Sequence, residues 1–116
     1  MTTLPVLQPA TTDACCAPAA ENVLGEEAAK QKAVVFKALA DPNRLRLLSM
    51  IKNSSAGETC VCDLIEPLDL GQPTVSHHLK ILVDAGLLHR EKRGTWAYFS
   101  VVPGALDNVT GILAGL

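Results

Sequence analysis

Aromatic side chains are scarce in this 116-residue chain: one Trp, one Tyr and two Phe, although 48% of its residues are hydrophobic. A core with so few rings must be assembled from Leu, Val, Ile and Ala, a palette that favours helices in a single modest domain. No apolar run approaches the ~20 residues that span a bilayer, so no membrane partner is expected. The opening stretch, MTTLPVLQPATTDACC, lacks the charged start and apolar block of a secretory signal. That argues for a cytoplasmic protein whose four cysteines stay reduced. Lys and Arg are missing from residues 1–29, which carry Asp13, Glu21, Glu26 and Glu27. All ten basic residues and eight of the twelve acids follow, so a total of −2 divides into −4 for 1–29 and +2 for 30–116. A locally basic face can bind nucleic acid beneath an acidic total. Enzyme signatures are absent too. The chain has no Cys-x-x-Cys, phosphate-binding glycine loop, catalytic triad or paired-carboxylate cleft, so neither enzymatic activity nor an organic cofactor is expected.

What is present reads as two parts. Residues 1–25, rich in Thr, Pro and Ala, are expected to form a flexible arm carrying Cys15 and Cys16. Residues 26–116 are expected to form one folded domain. EEAAKQKAVVFKALA predicts a first helix, acids leading and lysines trailing, with Val35, Ala38 and Leu39 as its apolar stripe. DPNRLRLLSMIKN predicts a second, with Asp41 as N-cap, Pro42 at the first helical position, and Leu45, Leu48 and Ile51 facing the core. A short helix is expected from about Cys60 to Pro67, then a turn, then a helix over QPTVSHHLKILVDA closed by Gly86. LLHREKRGTWAYFSV predicts a hairpin turning near Arg93–Gly94, and a last helix follows with Leu106, Val109, Leu113 and Leu116 on one side.

Two short helices joined by a tight turn suggest helix-turn-helix geometry. On the 72–85 helix, Val75, Leu79 and Leu82 define a buried face. His77 and Lys80 lie opposite, flanked by Gln72, Thr74 and Ser76, with His78 nearer the core boundary. Short polar groups and one cation suit base edges and phosphates in a major groove. A solvated polar face would look much the same in isolation. The hairpin that follows tips the balance, because Arg90, Lys92 and Arg93 cluster at its tip, where a basic wing would reach the sugar-phosphate backbone. The fold class expected is therefore mainly α with a small β-hairpin, a winged helix-turn-helix.

FKALADPNRLRLLSMI, CVCDL, QPTVSHHLKILVDAGLL and REKRGTWAYFSV together resemble the ArsR/SmtB family of winged-helix metalloregulators over roughly residues 30–103. The resemblance implies a homodimeric repressor that binds palindromic double-stranded operator DNA and leaves it when a toxic metal or metalloid binds. It also implies dimerisation through the first and last helices.

Cys60 and Cys62 stand where the family's metalloid sensors carry a Cys-x-Cys, but the third cysteine of that pattern is replaced by Ile65. The vicinal pair Cys15 and Cys16 can supply the deficit, an arrangement similar to that of the family's cadmium/lead sensors. On a regular helix, positions i and i+2 point ~200° apart, so sharing one ion requires an unwound first turn, or else one cysteine ligates while the other packs. Three thiolates suit As(III) or Sb(III); four suit Cd(II) or Pb(II). The family's Asp/His site on the last helix has no His here, which puts As(III) first and Cd(II)/Pb(II) as the alternative. A repressor that answers to thiol oxidation is the remaining rival. His77, His78 and His89 are expected on the DNA-facing side rather than as metal ligands.

Overall fold

The computed structural model of the chain describes residues 23–116; Cys15 and Cys16 lie outside the described residues. Helix α1 covers Glu26–Leu39, with Glu26 and Glu27 in its first turn and Lys37 in its last. Helix α2 covers Pro42–Lys52 and begins as expected: the Asp41 carboxylate accepts the Arg44 backbone N–H at 3.0 Å, and Pro42 occupies the first turn, where its missing N–H costs nothing. Its buried residues are Leu47, Leu48 and Ile51. Leu45 is 52% exposed, which corrects its placement in the core. Leu47 takes that place, because the stripe facing the other helices runs i, i+1, i+4 and leaves Leu45 on its flank.

The segment holding Cys60 is not helical. Thr59–Cys60 forms a short strand, β1, followed by a 3-10 turn over Val61–Asp63 and a one-turn helix, α3, over Ile65–Leu68. Helix α4, Gln72–Asp84, comes next. It ends in a Schellman motif: the Leu87 N–H reaches the Leu82 carbonyl and the Gly86 N–H the Val83 carbonyl. Gly86 sits at φ 81°, a left-handed conformation that side chains resist. Strands β2, Leu88–Arg93, and β3, Trp96–Val101, form the hairpin. Arg93 pairs with Trp96 across a two-residue turn whose first residue, Gly94, has φ 63°. β1 pairs with the far side of β3, so the wing belongs to a three-stranded antiparallel sheet of order β1-β3-β2. Helix α5 covers Ala105–Ala114.

The core is aliphatic. Leu47, Ile51, Leu64, Val75, Leu79, Leu82 and Leu87 are closed to solvent, and Phe99 is the single aromatic among the buried described residues. Val75, Leu79 and Leu82 are the three positions expected from the α4 pattern, and they fix which face of that helix remains outside. No helix among the described residues is long and apolar enough to cross a membrane.

Candidate nucleic-acid interface and thiol pair

With its apolar face committed to the core, α4 presents Gln72, Thr74, Ser76, His77 and Lys80 to solvent. The wing folds back toward this face. A cleft of about 510 Å³ lies between them, with Gln72, Ser76 and Lys80 on one wall and Arg90, Lys92 and Trp96 on the other. Thr74 and His77 are exposed but lie outside that cleft. Trp96, 47% exposed, lines this cleft and was passed over by sequence reasoning. Its place in the strand alternation said only that it faced away from Phe99. A large exposed ring set among cations is suited to packing on a sugar-phosphate backbone.

The cations differ in their freedom. Lys80 Nζ lies 2.8 Å from Asp84 one turn later, a solvent-exposed pair that competes weakly with a phosphate. Arg90 and Lys92 make no ion pair among the described residues. Arg93 is heavily engaged: Nη1 and Nη2 donate to the two carboxylate oxygens of Glu58 at 2.6 and 2.7 Å, and Nε donates to Glu91 at 2.9 Å. Its guanidinium also lies 4.5 Å from the centre of the Tyr98 ring. The Arg93 hydrogen bond, followed by its charge, holds the Glu91 carboxyl below the usual carboxylate range, and the two acids push the guanidinium further toward its charged form.

His78 stands apart from its neighbours on α4. Its side chain is 13% exposed, and its Nδ1 is 3.3 Å from Arg44 Nη1 and 3.9 Å from the Asp41 carboxylate. Arg44 in turn donates through Nε to the Ala38 carbonyl at 2.6 Å and through Nη2 to the Lys37 carbonyl at 3.2 Å, satisfying the end of α1. One side chain thus ties together the end of α1, the start of α2 and the middle of α4. Arg44 was not singled out from the sequence, because its partner His78 is 34 positions away. The Arg44 backbone N–H, assisted by the guanidinium and by His78, lowers the Asp41 carboxyl from its ordinary value, against a smaller opposing effect of burial.

The geometric objection to Cys60 and Cys62 sharing a ligand disappears in the structure. Cys60 is extended (φ −72°, ψ 143°) at the end of β1, and Cys62 lies in the 3-10 turn, so the i, i+2 divergence of a regular helix does not apply. Their Cα atoms are 5.2 Å apart and the two sulfurs meet as a disulfide pair. The Cys62 N–H points at the Cys60 sulfur at 3.4 Å. Cys60 is buried and Cys62 exposed, so the pair has one anchored and one accessible member. The pairing departs from the reduced state expected from the sequence; once reduced, two such converging soft donors fit a thiophilic cation as part of a site. No group of three or more His, Cys, Asp or Glu side chains able to hold one ion occurs among the described residues. The hydroxyl of neighbouring Thr59 is buried without a hydrogen-bond partner, an uncommon state for a polar group.

Comparison with known proteins decides the family. Residues 41–90 match the family described as bacterial regulatory protein, arsR family. The arsenical resistance operon repressor of Bacillus subtilis is 44% identical over 79 residues, covering 68% of this chain and 70% of that one. The chain belongs to the ArsR family. It is accordingly a DNA-binding transcriptional regulator of winged helix-turn-helix architecture, and not an enzyme. The crystal structure of another ArsR family transcriptional regulator superposes with a TM-score of 0.65 at 29% identity, over 74% of this chain and 86% of that one. A homodimeric winged helix-turn-helix domain from Mycobacterium bovis, described as a possible ArsR-family regulator, gives 0.62 at 25% identity over 84% and 86% of the two chains.

Proposed function

We propose that this ArsR-family protein is a metalloid-responsive repressor that binds a palindromic operator as a homodimer and releases it when As(III) or Sb(III) is held by its thiolates. The observation that carries this reading is the convergence of the Cys60 and Cys62 sulfurs at the end of β1, the strand that pairs with the wing, and the turn that follows it. Bound there, a trivalent metalloid supplies a soft centre that prefers sulfur and cross-links the residues holding it. Cys60 and Cys62 provide two donors, and one of Cys15 and Cys16 the third. If all four bind at once, Cd(II) or Pb(II) becomes the matching ion. Gln72, Thr74, Ser76, His77 and Lys80 face the groove, while Arg90, Lys92 and Arg93 face phosphates. His78 holds α4 in place through Arg44.

The surface supports a dimer. Helix α5 has no buried residue, and Leu113 and Leu116 on its side of the molecule are 57% and 60% exposed, as is Val34 of α1 at 52%. Uncovered leucines on a terminal helix are what a second copy would cover. Two copies related by a two-fold axis would set two α4 helices about 34 Å apart along a duplex.

The meeting of the two sulfurs also favours a second reading, in which oxidation of the Cys60–Cys62 dithiol is the signal. Titrating reduced protein on a labelled operator separately with arsenite, cadmium and peroxide tests both. Release at lowest concentration by arsenite supports the first reading, whereas release by peroxide alone replaces it with the second.

A further inference from the structure

Cys60 and the wing share a sheet, with Cys62 in the turn that follows, and one side-chain pair ties this segment to the wing more closely than backbone pairing alone. Cys60 is opposite Tyr98 on β3, and Tyr98 is opposite Glu91 on β2. Across the Tyr98 ring, Arg93 reaches Glu58, two residues before Cys60, with both carboxylate oxygens engaged. We propose that Glu58 is a positioning residue for DNA binding: its carboxylate withholds the Arg93 guanidinium from operator phosphate, and its placement is governed by the adjoining Cys60 and Cys62.

The planar fork that grips a carboxylate bidentately is the same fork that grips a phosphate, so Glu58 and the DNA backbone compete for one set of donors. With Glu58 and Glu91 both on Arg93, that three-group cluster sums to one negative charge and offsets one of the two neighbouring cations, Arg90 and Lys92, leaving the wing tip less attractive to a polyanion. Releasing Glu58 turns that tip into a phosphate contact. The lever is short: Ser54 donates its hydroxyl to the Glu58 carbonyl at 2.9 Å, Thr59 lies opposite Phe99, and Cys60 follows. Engaged sulfurs hold this stretch against β3 and keep the clasp closed; operator phosphate opens it. Inducer and DNA then oppose each other through Arg93 by linkage. This coupling rests on the reading of Cys60 and Cys62 as the inducer site, whereas the competition between Glu58 and phosphate does not.

The test is operator affinity across a salt series for the reduced full chain, as wild type, Glu58→Gln, Arg93→Gln and the double variant, by fluorescence anisotropy. Arsenite binding is followed separately by thiolate absorption. Glu58→Gln is expected to tighten operator binding about 5–10-fold near 0.1 M salt and to steepen the slope of log K against log salt by about 1.8, the signature of one added phosphate contact from each protomer of the dimer. Both effects are expected to vanish in the Arg93→Gln background. Glu58→Gln is also expected to reduce the loss of operator affinity that saturating arsenite produces. Weakened binding, an unchanged slope, or equal tightening with and without Arg93 overturns the proposal, the last because it would show bulk charge alone. If wild-type arsenite absorption proves independent of Cys60 and Cys62, the inducer-site reading fails and the coupling with it, while the slopes still decide the clasp.

Discussion

Cys60 and Cys62 are chemically alike, yet their surroundings predict opposite costs when each sulfur is replaced by oxygen. Cys60 packs in the core and Cys62 faces water. Cys60→Ser buries a hydroxyl and should cost about 1 kcal/mol or more in urea unfolding, whereas Cys62→Ser should stay within about 0.5 kcal/mol. Both should abolish arsenite-driven release. If Cys62→Ser retained full release, Cys62 would not be a ligand and the paired-thiol site would fail. Leu79 supplies a reference for the core: it is fully buried on α4, and Leu79→Ala should lose about 3 kcal/mol of stability in the same assay. Its neighbours His77 and Lys80 face outward, so Ala at either should leave stability nearly unchanged while weakening operator binding.

At the scale of elements, Arg44 and Asp41 set how α1, α2 and α4 meet. Arg44→Ala removes the donors to the Lys37 and Ala38 carbonyls and the contact with His78, and should destabilise the domain by about 2 kcal/mol, with Arg44→Lys a poor substitute for the lost fork. Asp41 gives a pH signature. Its carboxyl is lowered from 3.8 in the folded state, so its contribution is fully present above that value and is lost as pH falls through the lowered one. Asp41→Asn keeps an acceptor for the cap without the charge. The difference in thermal midpoint between wild type and this variant should therefore shrink as pH drops below about 4. These same elements show what a sequence discloses. The α2 start was legible because capping is local, and the buried face of α4 because periodicity is. β1 was not, because two residues carry no alternation, and its partner Tyr98 lies 38 positions later. Leu45 was misplaced for a related reason: spacing selects a stripe, but only the packed neighbours decide which of two adjacent stripes is covered. The clasps of Arg44 on His78 and Arg93 on Glu58 depend on the tertiary fold and leave no local trace.

At the scale of the whole molecule, the proposed homodimer would use surfaces that a single copy leaves bare. Leu113→Asp places a charge on the exposed face of α5 without touching the core, so the chain should remain folded. In the dimer reading it becomes monomeric by sedimentation and loses about 100-fold in affinity for a two-half-site operator, while binding to a single half-site changes little. A variant that stays dimeric would move the interface elsewhere. The basic face, the wing and the thiol pair all lie within one small sheet-and-helix unit, so in the proposed mechanism a ligand on β1 and the following turn would act on DNA binding at short range. The most direct measurement follows arsenite binding by thiolate absorption and operator release by anisotropy in one titration, for the reduced wild type and for Cys60→Ser with Cys62→Ser. Absorption and release rising together in the wild type, and both absent from the double variant, are the expected result. Release that persists without those two sulfurs, or absorption that saturates while the operator stays bound, would contradict the account.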